Sequence, residues 1–478
     1  MRIYFGQTHR TTVLLLLSIL AITLFFSFLT SEFKPSALLL AVGALSIFTI
    51  AFLKSEIALY ILIFSMLLSP EILVGGMEGG VAASRGLTLR FDDFLLVIIG
   101  FGWFARTAIY KDLGLFLRTP LNKPVFFYLL ACVVSTGLGT MMERVSAKTG
   151  FFYVLKYFEY FIVYFMVVNH IEDREQVKRY TFCILLTCFI ISAYCMLQIP
   201  AGGRLTAPFE GERGEPNTLG GYLIFAGALA AGMFSVTKDL KGKILLGGLI
   251  MAIFLPYLYT ESRSSYLAFV PTYVALSFMN KKRGLMIWLL VLGLALSPLV
   301  LPSNVLERIL YTFTQPEQTG QIVIGDTRID TSASARLKSW KEGLEDVPNH
   351  PLIGYGVTGY AFMDAQFPRV LVETGILGLI AFAYLLYSIF KISIPRVREL
   401  QDDYFRGIAI GFLAGYIGLL FHALGANTFI IVRIMEPFWF MLAIVVVLPS
   451  LESQETGTER GAKTTGRRIA SDQLNQLD

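Results

Sequence analysis

The sequence predicts an all-α polytopic membrane protein, with about 12–14 transmembrane helices and one large periplasmic loop carrying amphipathic helices, and three observations predict it. Of its 478 residues 55% are hydrophobic and only 16% are charged, which with a mean hydropathy of +0.63 lies outside the range of soluble domains. Apolar blocks of roughly 17 to 22 residues recur along the chain, each long enough as a helix to cross about 30 Å of hydrocarbon. Lysines and arginines collect in alternate short loops, as they do on the cytoplasmic side of a membrane. The blocks must be helical because lipid offers no partners for free backbone groups.

In chain order the blocks put spans at about 11–30, 35–53, 56–74, 93–110, 124–140, 151–169, 179–199, 217–236, 243–259, 264–280, 284–301, 370–390, 405–424 and 429–448. No small-residue cleavage site follows the first block and another block starts soon after it, so it reads as a retained helix and not a signal peptide. One set of loops carries Arg106, Lys111, Arg118 and Lys123; then Arg174, Lys178 and Arg179; then Lys238, Lys241 and Lys243; then Lys281, Lys282 and Arg283; then Lys391, Arg396 and Arg398. These loops share the cytoplasmic side with the polar tail after Pro449, so both termini are expected there. The tail lacks a hydrophobic period and reads as disordered. The expected regions are residues 1–301 as N-terminal helices, 302–369 as the periplasmic loop, 370–448 as C-terminal helices and 449–478 as the tail. Cys132, Cys183, Cys188 and Cys195 all lie in apolar blocks, which argues against disulfides and thiolate metal sites. The net charge of +5 divides among the loops and points to topology, not to nucleic acid.

The loops left for the other face hold the unusual residues. Arg204, Arg263, Arg336 and Asp364, distant in sequence, all fall there. Pro216 and Asn217 open a span and turn free N–H groups toward that surface. Arg263 sits in a very tight loop between two spans. Its guanidinium offers a fixed fork of donors that matches phosphate oxygens and keeps its charge at the membrane edge. Two or three such arginines converging would hold a diphosphate. The plainer alternative for each is snorkelling to headgroups or pairing with Glu210, Glu212, Glu215 or Glu261. Within the long loop, Leu337, Trp340, Leu344 and Val347 recur at helical spacing with Lys338, Lys341, Glu342 and Glu345 between them. That pattern gives an amphipathic helix on the membrane surface, N-capped by Ser332 or Ser334, with Arg336 in its first turn. His350 and Pro351 end it, and Gly354, Gly356 and Gly359 make a compact turn.

Residues 204–220, from Arg204 to the Pro216, Asn217 and Gly220 stretch, resemble a segment of the bacterial O-antigen ligase and O-antigen polymerase superfamily. So do residues 260–268 around Arg263, residues 336–356 from Arg336 through Trp340 to HPLIGYG, residues 372–379, and residues 433–439. The resemblance covers roughly residues 89–448. It implies a metal-independent, inverting glycosyltransferase, without cofactor, at the periplasmic face of a bacterial inner membrane. A glycan on undecaprenyl diphosphate is then the donor, a sugar hydroxyl of a lipid or growing polysaccharide the acceptor, and the lipid diphosphate leaves. On that resemblance Arg204, Asn217, Arg263 and Arg336 are expected to bind diphosphate and glycan. Ligases of this family carry a histidine eleven residues before the glycine that matches Gly375, and this chain has Asp364 there. Asp364 and His350 are the two candidates for taking the acceptor's proton. Glu373 is expected to cap or pair at a helix start, and His170 and His422 to be interfacial or packing groups. The alternatives are a transporter or flippase for lipid-linked glycans and a non-catalytic assembly partner for envelope polysaccharide. A transporter should show charges deep within spans, where the sequence offers mainly Lys156 and Glu159.

Overall fold

The computed structural model describes residues 35–73, 88–110, 119–208, 214–324 and 327–474. The expected first span, together with Lys111, Arg118, Glu210 and Glu212, lies outside them. The described helices are α1 (Pro35–Leu53), α2 (Ser55–Leu68), α3 (Phe91–Tyr110), α4 (Asn122–Met141), α5 (Ala147–His170), α6 (Arg174–Gln198), α7 (Pro216–Val236) and α8 (Leu240–Tyr259). They continue with α9 (Arg263–Met279), α10 (Arg283–Val300), α11 (Ser303–Thr314), α12 (Thr331–Asp346), α13 (Gln366–Glu399), α14 (Asp403–His422) and α15 (Val432–Leu474). Two small antiparallel ribbons accompany them, β1 (Glu71–Leu73) with β2 (Thr88–Arg90) and β3 (Val323–Ile324) with β4 (Thr327–Arg328).

Among the described residues eight helices are long and apolar enough to cross a membrane: α4 to α8, α13, α14 and the part of α15 up to Gln454. The pair α10 and α11 adds a ninth if the 99° bend between them is taken as one broken span. The other blocks expected as spans in the described residues are helical too, except that the one at 56–74 leaves its helix at Leu68 and runs into β1. Of these, α2 has 14 residues and α9 has 17, short of a full crossing, and α3 carries Asp92, Asp93 and Arg106. Where an unstructured tail is expected after Pro449, the backbone of α15 stays helical to Leu474. Eleven of the 25 residues from Ser450 to Leu474 are Glu, Gln, Ala, Lys or Arg, which are good helix formers, so polarity alone does not stop the helix.

The core is held by close backbone contact between small residues. A Cβ on Gly232 of α7 would lie 2.2 Å from the nitrogen of Gly411 on α14, and one on Gly411 would lie 2.5 Å from Leu229 Cα. Gly407 and Gly415 continue the stripe at four-residue spacing, against Met233 and Phe225. Helices in lipid gain little from burying apolar area, so small residues that admit close van der Waals approach decide which faces meet. Helix α9 joins the same unit through small residues, Ser264 against Gly425, Ser265 against Gly220 and Thr272 against Gly418. Farther along, α5 packs on α15, where Tyr160, Phe161 and Tyr164 surround Trp439.

Helix α13 is broken inside its length, because Gly375 has φ 66° and ψ −171°. The loop from His350 to Gly356 fills the break. Tyr355 N and Gly356 N donate to the carbonyls of Val372 and Glu373, at 3.0 and 2.8 Å. In return Ile376 N and Leu377 N donate to the carbonyls of Pro351 and Leu352, at 2.9 and 3.2 Å. The groups orphaned by the break thus find partners in the loop, as buried backbone groups must. Ser135 Oγ on α4 stands 2.6 Å from the carbonyl oxygens of both Ile353 and Glu373 and ties the joint to the bundle. Gly354 has φ 75°, and a Cβ there would lie 2.6 Å from the Glu373 carbonyl carbon; one on Gly375 would lie 2.4 Å from that of Leu352.

Two tests follow from this architecture. Three spanning helices separate Ser332 from Ser453, so single cysteines placed at these exposed sites in a background without the native cysteines should react from opposite sides of the membrane. Labelling of both from one side would overturn the helix count. Gly375→Ala or Gly354→Ala should lower the thermal midpoint of the purified protein by several degrees, since each adds a clash at a left-handed backbone; a typical strained glycine replacement costs about 1 to 3 kcal/mol. An unchanged midpoint would show that the joint yields.

Candidate functional site

The site is built on the turn that joins α8 to α9. Glu261 stands there at φ 49°, a conformation that a non-glycine residue keeps only when its surroundings hold it. Ser262 caps α9 by accepting from Ser265 N at 3.3 Å, and its hydroxyl donates to Asn217 Oδ1 at 2.7 Å. Asn217 lies in the first turn of α7, just after Pro216, so this bond joins two helix starts. Arg204 then clasps the turn: its Nε donates to the Thr260 carbonyl at 3.3 Å and its Nη2 to the Glu261 carbonyl at 3.2 Å.

The long loop brings the other charges to this turn. Arg263 Nη1 donates to Asp330 Oδ2 at 2.6 Å and to Thr312 Oγ1 on α11 at 2.8 Å. Asp330 is the N-cap of α12, accepting from Ala333 N at 3.0 Å. This corrects the expected cap at Ser332 or Ser334, because the helix starts at Thr331 and only the residue before it has its side chain beside the free amides. Ser334 is instead buried, donating to the Ile329 carbonyl and accepting from Ile322 N. Arg336, in the second turn of α12, donates from Nε and Nη2 to Asp364 Oδ2 at 3.2 and 3.0 Å. Both bonds land on one oxygen, and Oδ1 of Asp364 meets no donor among the described residues.

Sequence reasoning missed one cation. Arg308 lies on α11 one turn before Thr312, and its Nε is buried without a hydrogen-bond partner. Loss of solvent around the packed guanidinium, and then the charge of Arg308, hold Arg204 below the usual arginine range. Arg263 lies within electrostatic reach of Arg308 and Arg336 as well. Four arginines therefore converge, two of them facing an aspartate. The amphipathic pattern of residues 303–314, with Val305 fully buried and Arg308 and Thr312 one turn apart, is the signal that could have placed Arg308 on this helix.

The remaining expected residues divide between the site and its supports. His350 belongs to the plug in the α13 break, where its amide donates to the Val347 carbonyl and its ring stands edge-on to Tyr355 at 4.6 Å. The structure joins Arg204 and Asn217 to the turn that carries Arg263, and Arg336 to Asp364, and it gives His350 no bond to any of them among the described residues. Glu373 pairs with Arg369 at 3.0 Å and accepts from Thr358 N at 3.1 Å, just before the break. His422 is fully buried beside Gly221, with Nδ1 2.8 Å from Thr428 Oγ1, and His170 Nδ1 lies 2.7 Å from the Met166 carbonyl, in keeping with packing roles.

The sequence model of the O-antigen ligase family matches residues 248–383. That stretch runs from α8 into α13 and holds Arg263, Arg308, Asp330, Arg336, Asp364 and the plugged break at Gly375. No curated protein matches the chain. Within this polytopic helical bundle, residues 248–383 are thus similar to the O-antigen ligase family.

Proposed function

We propose that the protein moves a glycan from undecaprenyl diphosphate to a sugar hydroxyl of a lipid or growing polysaccharide, at the periplasmic face of a bacterial inner membrane with both termini in the cytoplasm. The observation that supports this reading most is the convergence of Arg204, Arg263, Arg308 and Arg336 on one turn at the ends of α7 and α9. Guanidinium forks bind phosphate oxygens in pairs, and Asp364 now occupies the fork of Arg336 while Asp330 takes Nη1 of Arg263, as phosphate oxygens would. Donor binding exchanges those carboxylates for the diphosphate. Charge grows on the bridging oxygen as the sugar–phosphate bond breaks, and four preorganised cations stabilise it in the place where a metal ion would otherwise serve.

In the transfer step the acceptor oxygen attacks the anomeric carbon opposite the leaving group. The new C–O bond forms as the bond to the diphosphate oxygen breaks, that oxygen keeps the electron pair, and the configuration inverts. The hydroxyl proton goes to Asp364, whose carboxylate donor binding has released from Arg336. Ligation and polymerisation share this chemistry and differ only in the acceptor.

Transport of a lipid-linked glycan is the second reading, favoured by buried charges around Glu436 within the helices. The two separate in detergent solution, where an enzyme still joins purified donor and acceptor and a transporter has no second compartment. Arg263→Lys keeps the charge and loses the fork, so product formation should fall about a hundredfold with the protein still in the membrane; near-normal output would make Arg263 a structural residue. Asp364→Asn should slow transfer by about a hundredfold to ten-thousandfold, the usual worth of a general base, with His350→Ala causing a smaller loss. If the histidine variant is dead and the asparagine variant active, the proton goes to His350.

A further inference from the structure

A second group of charges lies away from the arginine site, inside the bundle. Arg90 ends β2, Asp92 and Asp93 open α3, Glu159 lies in the middle of α5 and Glu436 one turn into α15, and all five are buried. Arg90 Nη2 stands 2.8 Å from Asp92 Oδ2, 3.9 Å from Asp93 Oδ1 and 4.0 Å from Glu436 Oε2. Asp92 Oδ1 accepts from Ser69 Oγ at 2.8 Å, and Asp93 Oδ2 accepts from Arg90 N at 2.8 Å. Lys156 acts on Asp93 and Glu159 from one turn earlier on α5. Arg433, one turn before Glu436, donates to the carbonyls of Leu67, Ser69 and Pro208.

Among the described residues, counting every group as charged gives four carboxylates, Asp92, Asp93, Glu159 and Glu436, against three cations, Arg90, Lys156 and Arg433. One negative charge is left over among groups most of which are buried. An uncompensated buried charge is far costlier than neutralising the group, and like charges in one site oppose joint ionisation. Glu436 is the least compensated of the four. It has 0% exposure, neither of its oxygens accepts a hydrogen bond among the described residues, and its nearest cation is the Arg90 nitrogen at 4.0 Å. Asp93 Oδ1 and Glu159 Oε2, in the same cluster, are likewise acceptors without a donor. One proton on Glu436 removes the surplus charge and turns an orphaned acceptor into a donor. A metal ion is a poorer answer, since no three of the described His, Cys, Asp or Glu side chains close round a point as ligands would.

We propose that the Glu436 cluster is a proton-binding site that carries one proton, seated on Glu436, in the folded protein at neutral pH. An exposed glutamate loses its proton near pH 4.3, so above about that pH the folded chain holds one proton more than the unfolded chain. Stability then falls as pH rises, the sign required when the native state binds the extra proton.

The test uses the full chain purified in detergent, with infrared spectra in light and heavy water and thermal unfolding of the wild type and Glu436→Gln. The expected results at about pH 7 are a carboxylic-acid carbonyl band in the wild type that shifts in heavy water and vanishes in the variant, and a thermal midpoint in the variant within about 2 °C of the wild type. The wild-type midpoint should also fall more steeply than the variant's between about pH 6 and 9. Glutamine copies the neutral acid, so a drop of about 5 °C or more, or a variant that does not fold, means that Glu436 is ionised and that its loss strands Arg90, which overturns the proposal. A wild type without the band, or a band unchanged in the variant, overturns it independently of stability. A midpoint raised by sodium over choline at equal ionic strength, in the wild type alone, assigns the site to a metal cation instead.

Discussion

The exchange of backbone hydrogen bonds between the loop at His350–Gly356 and the break at Gly375 is the constraint on which the large loop depends. A helix interrupted near a membrane must find partners for the amides and carbonyls it releases, and water is scarce there. The loop supplies both kinds, with two amides toward Val372 and Glu373 and two carbonyls toward Ile376 and Leu377. Side chains contribute little to this joint, which explains its composition. Gly354 and Gly375 are present because the two backbones come within about a Cβ of each other, and Pro351 because its amide is not needed. Once the joint is made, α12 lies against α13 through Gly343, whose missing side chain leaves room for Met363 and Val372. Arg336 and Asp364 meet as a consequence.

The arginine site shows how such a loop manages charge. Arg263 and Arg336 are each neutralised by an aspartate, whereas Arg204 is satisfied by main-chain carbonyls and Arg308 keeps a buried nitrogen without an acceptor. Asp330 has two duties, capping α12 and facing Arg263, so the start of the helix and the arginine fork are set by one side chain. The cation count and the geometry of the turn are thus linked through ordinary capping chemistry.

The spans are legible in the sequence because burial in lipid demands long apolar blocks, and Arg204, Asn217, Arg263, Arg336 and Asp364 stand out because polar residues between such blocks are few. Their mutual contacts are not legible: Arg336 with Asp364, or Ser262 with Asn217, joins residues far apart in the chain, and no periodicity encodes that. Arg308 is hidden because α11 follows directly on an apolar helix and turns 99° from it. The charges around Glu436 escape notice for a different reason. Arg90, Asp92 and Asp93 look like a polar loop end, and only packing against α5 and α15 reveals that they are buried together.

The glycine stripe on α14 has a consequence for how far from the chemistry a change is felt. Backbones that touch have no side chains between them to absorb a displacement, so α7 and α14 move as one body and α9 moves with them. Asn217 begins α7, Arg263 begins α9, and His422 ends α14, all at the same end of that body. A methyl group added at Gly411, several turns from any arginine, acts as a wedge at a fulcrum and swings all three of these ends. Tolerance to substitution in this protein is therefore set by leverage along the helix axes, and a residue's distance from the arginines is a poor guide to its effect on them.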